Sequence, residues 1–169
     1  MNSSRTYNIL SVALVFILQL AVNDFLHLGP YVFICLIPAV IATLPVSTRP
    51  QTAMLEAFLL GLLFDLLSDG VPGLNAASAT LAASLLKPIY KHTITTERQN
   101  KPEVSISRVG FLKVLHYTAL VTGIYLLAYI LIDCAGIRSA LFIAIKFVIS
   151  LIINVALAML FNSILFNRD

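Results

Sequence analysis

Residues 61–75 read GLLFDLLSDGVPGLN, and this stretch separates two long apolar runs. An aspartate inside an apolar helix is costly, so Asp65 is expected to have a partner or a task. Further along, Gly70 and Gly73 permit a positive φ and Pro72 presets its own φ, as a chain reversal within a few residues requires. The stretch therefore predicts a tight hairpin between two packed helices.

The composition around this hairpin is that of a membrane protein. Of the 169 residues, 59% are apolar and only 11% are charged, and the mean hydropathy is +0.94. Soluble domains contain about 45–50% apolar and about 25% charged residues. The formal net charge of +3 does not indicate nucleic-acid binding, because the basic residues are dispersed along the flanks of the apolar segments.

Six apolar segments predict an all-α bundle of about six transmembrane helices, forming a single integral membrane domain over residues 1–169. The segments are 7–26, 31–44, 53–67, 75–90, 111–132 and 140–165. The first can span the bilayer and lacks a small-residue cleavage site, so we expect a retained helix. The second is only about 21 Å long as a helix, and Pro38 favours a kink in it. Five spans, with the second segment failing to cross, are the alternative.

The basic residues set the expected orientation. If both termini are cytoplasmic and all six segments cross, every Lys and Arg except Arg138 and Lys146 lies on the cytoplasmic side or at its boundary. The largest polar piece is then a cytoplasmic loop, residues 91–108, which has no apolar stripe and is expected to be irregular. Near anionic lipid, each basic residue of this region contributes about 1 kcal/mol. The basic residues of the loop and its flank are Lys87, Lys91, Arg98, Lys101 and Arg108.

The sequence carries no catalytic or metal-binding pattern. His27, His92 and His116 lie in three different regions, so no zinc or haem site is expected. There is no Walker loop, GxSxG or HExxH motif. Glu56 and Asp65 are nine residues apart, about 180° around a helix, so they cannot both face one substrate. We therefore expect a protein with no enzymatic activity and no cofactor.

Three ionisable side chains are predicted inside the membrane: Glu56, Asp65 and Lys146. A lysine at that depth must extend its stem to the interface or pair with a carboxylate. The candidate partners near the outer boundary are Asp24, Asp65, Asp69 and Asp133. We expect Asp65 to anchor Lys146, and a contact with another protein is the alternative for Asp65.

Small residues on both sides of the turn indicate close helix packing. Gly61 lies one turn before Asp65 on the same face, which allows a neighbouring backbone to approach. Asn75 and Ser78 are expected to cap the helix after the turn. That helix has small residues four apart, which suit packing within the chain or contact with another chain equally. The residues predicted for this packing are Phe58, Gly61, Asp69, Gly70, Pro72, Gly73, Ala76, Ala79 and Ala83.

The order of these features resembles the MreD family of bacterial rod-shape-determining membrane proteins. A short Pro-containing apolar segment and an Arg-Pro turn precede EAFLLGLLFDLLSDGVPGLNAASATLAASLL, residues 56–86. The shared pattern is an apolar helix with Gly and Asp four apart, a Gly-containing turn and an Ala/Ser-rich helix. It covers about a third of the chain closely and maps onto Phe58, Gly61, Asp65, Gly73 and Ala76.

The resemblance implies a scaffold in the bacterial cytoplasmic membrane that helps to maintain cell shape. The partners it implies are an MreC-type bitopic protein, the glycosyltransferase and transpeptidase of wall elongation, MreB-type filaments and anionic lipids. The architecture of the family is also similar to that of the substrate-binding subunits of energy-coupling-factor transporters. A vitamin-type substrate-binding subunit is therefore the alternative, although the outer connections predicted here are too short to close over a vitamin.

Overall fold

The computed structural model describes residues 17, 19, 29–46, 49–67, 71–94, 109–134 and 138–166. In these ranges all regular structure is helical, and the helices are α1 Ile37–Thr43, α2 Pro50–Leu67, α3 Leu74–Ser84, α4 Leu86–Ile94, α5 Phe111–Asp133 and α6 Ala140–Phe166. Three of them, α2, α5 and α6, are long and apolar enough to cross a membrane. The described part of the chain thus has the architecture of a helical membrane protein.

The three long helices follow the predicted segments closely, and α2 begins earlier than predicted. It begins at Pro50, whose missing N–H is harmless at the first helical position. The carbonyl of Arg49 accepts hydrogen bonds from the N–H groups of Thr52, at 3.0 Å, and Ala53, at 3.2 Å. The earlier start lengthens α2 to 18 residues, or about 27 Å.

The predicted helix over residues 31–44 is wrong, because the first part of this segment is not helical. Residues 32–35 form no helix, and only Ile37–Thr43 do. Pro38 lies in the first turn of α1, where its missing N–H removes no hydrogen bond, so it does not kink the helix. With seven residues, or about 10 Å, α1 cannot cross a bilayer. It is buried from Ile37 to Ala42 and packs against α5 and α6.

The predicted fourth segment, residues 75–90, consists of two helices instead of one. α3 ends at Ser84, Leu85 leaves the helical conformation, and α4 begins at Leu86. Pro88 explains the interruption, because a proline ring clashes with the carbonyl four residues before it, here that of Ser84. Because α4 continues to Ile94, the first four residues of the predicted irregular loop 91–108 are helical.

The core of the described part lies around α5, which packs against α1, α3, α4 and α6, while α2 lies along α3. Tyr117 and Tyr125 are the largest fully buried side chains. Ala79 and Ala83 on α3 are buried in the same core, so this small-residue face is used for packing within the chain. Of the three long helices, α5 is the most buried and α6 the least.

Several sequence predictions lie outside the described residues. They concern the first segment apart from Ile17 and Gln19, the loop beyond Ile94 and the orientation of the termini. The side chains affected are Asp24, Asp69, Gly70, Arg98, Lys101 and Arg108.

Candidate functional site: the Asp65 cap and the polar chain behind it

The carboxylate of Asp65 caps the helix that follows it. Asp65 is buried, and its Oδ2 accepts hydrogen bonds from the N–H groups of Gly73, at 3.0 Å, and Ala76, at 3.1 Å. Its Oδ1 accepts from the N–H of Asn75, at 3.1 Å, and from Asn75 Nδ2, at 2.7 Å. The first N–H groups of a helix have no partner within the helix, and a negative charge there also meets the positive end of the helix dipole. Asp65 therefore links the end of α2 to the start of α3.

The start of α3 needs this external cap, since its own residues provide none. Gly73 occupies the N-cap position with φ of 89° and has no side chain to accept a hydrogen bond. The prediction that Asn75 and Ser78 cap α3 is wrong. Asn75 lies inside the first turn and donates to Asp65, while Ser78 Oγ donates to the carbonyl of Leu74 at 2.8 Å. Asp65 thus replaces the usual local cap.

Gly61 lets the two helices come close enough for this hydrogen bonding. A Cβ atom on Gly61 would lie 2.6 Å from Ala76 Cα and 2.7 Å from both Ala76 N and the carbonyl oxygen of Asn75. All three neighbours are backbone atoms, which cannot rotate away as a side chain can. The spacing of four residues between Gly61 and Asp65 places both on the face of α2 that meets α3.

Lys146 does not pair with Asp65, so the prediction that Asp65 anchors Lys146 is wrong. Its Nζ lies 2.8 Å from Asp133 Oδ2, across the connection between α5 and α6. The side chains of Lys146 and Asp133 are 12% and 34% exposed, as expected where a lysine reaches from an apolar helix towards its end. This ion pair fixes the α5–α6 hairpin, whereas Asp65 fixes the α2–α3 hairpin.

A chain of buried polar groups continues inwards from Asp65. Asn75 Oδ1 accepts a hydrogen bond from the hydroxyl of Tyr125 on α5, and that hydroxyl lies 3.2 Å from Cys35 Sγ. Asn75, Tyr125 and Cys35 are all buried, with Tyr125 completely so. This series of side-chain contacts therefore joins α2, α3, α5 and the segment before α1.

Two carboxamide side chains form hydrogen bonds with the backbone of the non-helical segment 32–35, as a neighbouring strand would in a sheet. Asn154 accepts from the N–H of Cys35 at 2.7 Å and donates to the carbonyl of Phe33 at 2.7 Å. Gln19 accepts from the N–H of Leu36 and donates to the carbonyl of Ile34 at 3.1 Å. Odd-numbered residues use Asn154 and even-numbered residues use Gln19, because successive peptide groups of an extended chain point in opposite directions.

Ser150 also takes part in the hydrogen bonding of this segment. Its Oγ accepts from the N–H of Phe33 at 3.0 Å, and its carbonyl accepts from Asn154 Nδ2 at 2.7 Å. Sequence reasoning missed Ser150 and Asn154, although two polar residues four apart in an apolar helix are a usable signal. Irregular backbone inside a membrane protein is tolerated where protein groups satisfy it, as these side chains do.

The remaining predicted side chains lie apart from this site. Glu56 and Phe58 are exposed on the outer face of α2, and Ala76 is buried at the α2–α3 contact. Lys87 is partly exposed and Lys91 exposed on α4. Pro72 lies in the turn before α3.

In the ranges that the structure describes, no three His, Cys, Asp or Glu side chains lie together as a metal site would require. The polar atoms of Asp65, Asn75 and Tyr125 form hydrogen bonds with one another and with the backbone. These hydrogen bonds hold α2, α3 and α5 together. Comparison with protein-family models, curated proteins and solved structures found no match for this chain.

Proposed function

We propose that this chain is a non-enzymatic scaffold of the bacterial cell-wall elongation machinery. In the cytoplasmic membrane it would hold an MreC-type bitopic protein and the elongation glycosyltransferase and transpeptidase, and so help to maintain a rod shape. MreB-type filaments and anionic lipids are its proposed neighbours on the cytoplasmic side. The observation that carries the proposal is that α2 has two different faces. Its inner face is packed and hydrogen-bonded against α3, and its outer face is exposed.

The inner face of α2 is occupied within the chain. Gly61 contacts the backbone of Ala76, and Asp65 accepts hydrogen bonds from Gly73, Asn75 and Ala76. Four of these residues also carry the resemblance to the MreD family. A hairpin held in this way gives the outer face of α2 a fixed orientation, which a binding surface for another helix needs.

The outer face of α2 is apolar and carries one carboxylate. Leu55, Leu59 and Leu63 are 58%, 55% and 47% exposed, and Glu56 is exposed beside them. Lipid can cover the leucines, but Glu56 lies six residues after Pro50, about 9 Å along the helix. No hydrogen bond or ion pair joins Glu56 to another described residue. A Lys or Arg on a partner helix would satisfy the carboxylate at that depth.

Site-specific photo-crosslinking tests this contact in a rod-shaped host. A photoreactive residue at Leu59 is expected to crosslink to the MreC-type protein. The matched control is Leu160 on α6, which is 62% exposed on a different helix and is expected to give no such crosslink. Equal crosslinking from both positions would show contact without a defined surface and contradict the proposal.

Charge exchange gives a second test. Glu56→Lys is expected to abolish co-purification with the MreC-type protein, and a Lys→Glu or Arg→Glu change in the partner helix is expected to restore it. Deletion of the gene is expected to turn rod-shaped cells round. Unchanged cell shape together with unchanged partner recovery from the Glu56→Lys variant would rule the scaffold role out.

A vitamin-type substrate-binding subunit is the second candidate, and the non-helical segment 32–35 favours it. Non-helical backbone inside the protein is typical of transporter substrate sites. However, two ionisable side chains that a polar substrate would need are already engaged, Asp65 by Asn75 and Lys146 by Asp133. Saturable binding of a labelled vitamin to the purified chain would favour this candidate over the scaffold.

A further inference from the structure

A long apolar groove of about 650 Å³ runs between α5 and α6. Leu112 and Leu127, at its two ends on α5, are 75% and 50% exposed, so the groove is open to its surroundings. They are 15 residues apart, or about 22 Å. This length exceeds the apolar thickness of one leaflet, which is half of a hydrocarbon core of about 30 Å. The wall between them is formed by Leu115, Leu120, Gly123, Ile124, Phe147 and Leu151.

A smaller pocket of about 290 Å³ adjoins one end of the groove. Leu112 and His116 line both, so the two are neighbours. The pocket adds His92 from α4 and Lys113 from the first turn of α5. Although the three histidines lie in separate sequence regions, the fold brings His92 and His116 to one pocket. The apolar groove thus ends in a cluster of groups that can carry positive charge.

Gly123 keeps the middle of the groove open. A Cβ atom there would meet only Leu151 Cδ1, at 3.8 Å, which is an ordinary contact. This differs from Gly61, where a Cβ would strike the backbone of Ala76. Close packing within the described part of the chain therefore does not require a glycine at position 123, and its missing side chain leaves space for a bound molecule.

We propose that this groove binds one anionic phospholipid of the cytoplasmic leaflet, with an acyl chain along α5 and α6 and the phosphate beside Lys113, His92 and His116. Charge complementarity supports this occupant, because an apolar channel with a cationic end matches an acyl chain with an anionic head group. The N-cap of α5, Gly110, provides no side-chain cap, so the first N–H groups of α5 also favour an anion. The site does not depend on the proposed scaffold function.

Native mass spectrometry of the full chain tests the apolar part of the site. The chain, delipidated in detergent, is mixed with phosphatidylglycerol or phosphatidylcholine, and we expect one phosphatidylglycerol retained per chain. Gly123→Leu places a side chain at the groove, where an added Cβ meets no backbone atom within 4 Å. It is expected to lower retention about tenfold, through loss of contact with two or more methylene groups. Ala156→Leu adds similar bulk on an exposed position of α6 outside the groove, and is expected to leave retention unchanged.

The cationic end is tested separately. Lys113→Gln combined with His116→Gln is expected to lower phosphatidylglycerol affinity about fivefold or more and to remove the preference over phosphatidylcholine. Lys87→Gln, at the same end of the bundle but outside the pocket, is the control for net charge. Equal retention by the Gly123→Leu variant, equal binding of both lipids, or full competition by glycerol phosphate alone would each overturn the proposal. The proposal would also be overturned if a protein co-purifies with the chain and Gly123→Leu displaces that protein, because the groove would then hold a protein and not a lipid.

Discussion

Replacing Asp65 by Asn measures how much the hydrogen bonds between α2 and the start of α3 contribute to the free energy of unfolding. The carboxylate accepts four hydrogen bonds, two on each oxygen. An amide has only one oxygen, so it keeps one pair and turns its NH₂ group towards the other two donors. If the oxygen takes the Oδ1 position, Gly73 and Ala76 lose their acceptor, and in the other orientation Asn75 loses both of its bonds.

The geometry sets the expected size of the effect. Each hydrogen bond to a charged group is worth about 1.5–3 kcal/mol, and buried donors without an acceptor add their own cost. Two lost bonds give roughly 3–6 kcal/mol, and relaxation of the turn reduces this because neighbouring losses are not additive. We expect Asp65→Asn to lower the free energy of unfolding by about 3 kcal/mol or more.

Unfolding in mixed micelles with increasing sodium dodecyl sulfate provides the measurement. The chain has no Trp, so helix content by circular dichroism is the appropriate signal. Glu56→Gln on the same helix is the matched control, because Glu56 is exposed and its change is expected to cost about 0.5 kcal/mol or less. Equal stability of the Asp65→Asn and Glu56→Gln variants would refute the assignment of Asp65 as the cap of α3.

Three further changes test neighbouring contacts in the same unfolding assay. Gly61→Ala is expected to destabilise the chain by at least about 2 kcal/mol, because the new Cβ would overlap the backbone of Ala76. Gly123→Ala, where a Cβ has only a 3.8 Å contact, is expected to be neutral or stabilising. Equal effects of the two changes would contradict the close α2–α3 contact. Tyr125→Phe leaves Asn75 Oδ1 without its donor and is expected to cost about 1–3 kcal/mol, and a neutral result would remove the polar chain as a stabilising feature. For the Lys146–Asp133 pair, a double-mutant cycle with Lys146→Met and Asp133→Asn is expected to give a coupling of about 1 kcal/mol or less, because Asp133 is partly exposed, and no coupling would mean that the contact is without energetic effect.

The long helices could be predicted from the sequence because their signals are local. Apolar runs define α2, α5 and α6, and the four-residue spacing places Gly61 and Asp65 on one face. The partner of Asp65 was not predictable in the same way. Its hydrogen bonds depend on the position of the start of α3 after the turn, and Asn75 offers both a backbone and a side-chain donor there.

The segment before α1 shows where local patterns stop being informative. Residues 31–44 are a short apolar run, which periodicity cannot distinguish between helix and extended chain. The outcome is decided by Asn154, Ser150 and Gln19, which supply hydrogen bonds to the backbone from distant positions. Lys146 was assigned to the wrong carboxylate for a different reason, because its neighbour in the sequence was not given preference. Asp133 precedes it by 13 residues in the same hairpin, a proximity that favours Asp133 over Asp65.

The hydrogen bonds of residues 33–36 impose an order on biogenesis. Phe33 and Cys35 obtain their side-chain acceptors from residues 117 and 119 positions later, so the ribosome must translate into α6 before these acceptors exist. Unpaired peptide groups do not enter hydrocarbon readily, so this segment is expected to stay in an aqueous or translocon environment until α6 arrives. Nascent chains ending before Ser150 should leave the Cys35 thiol open to a water-soluble maleimide, and chains extending to Phe166 should protect it. Equal labelling of the two would argue against closure by α6.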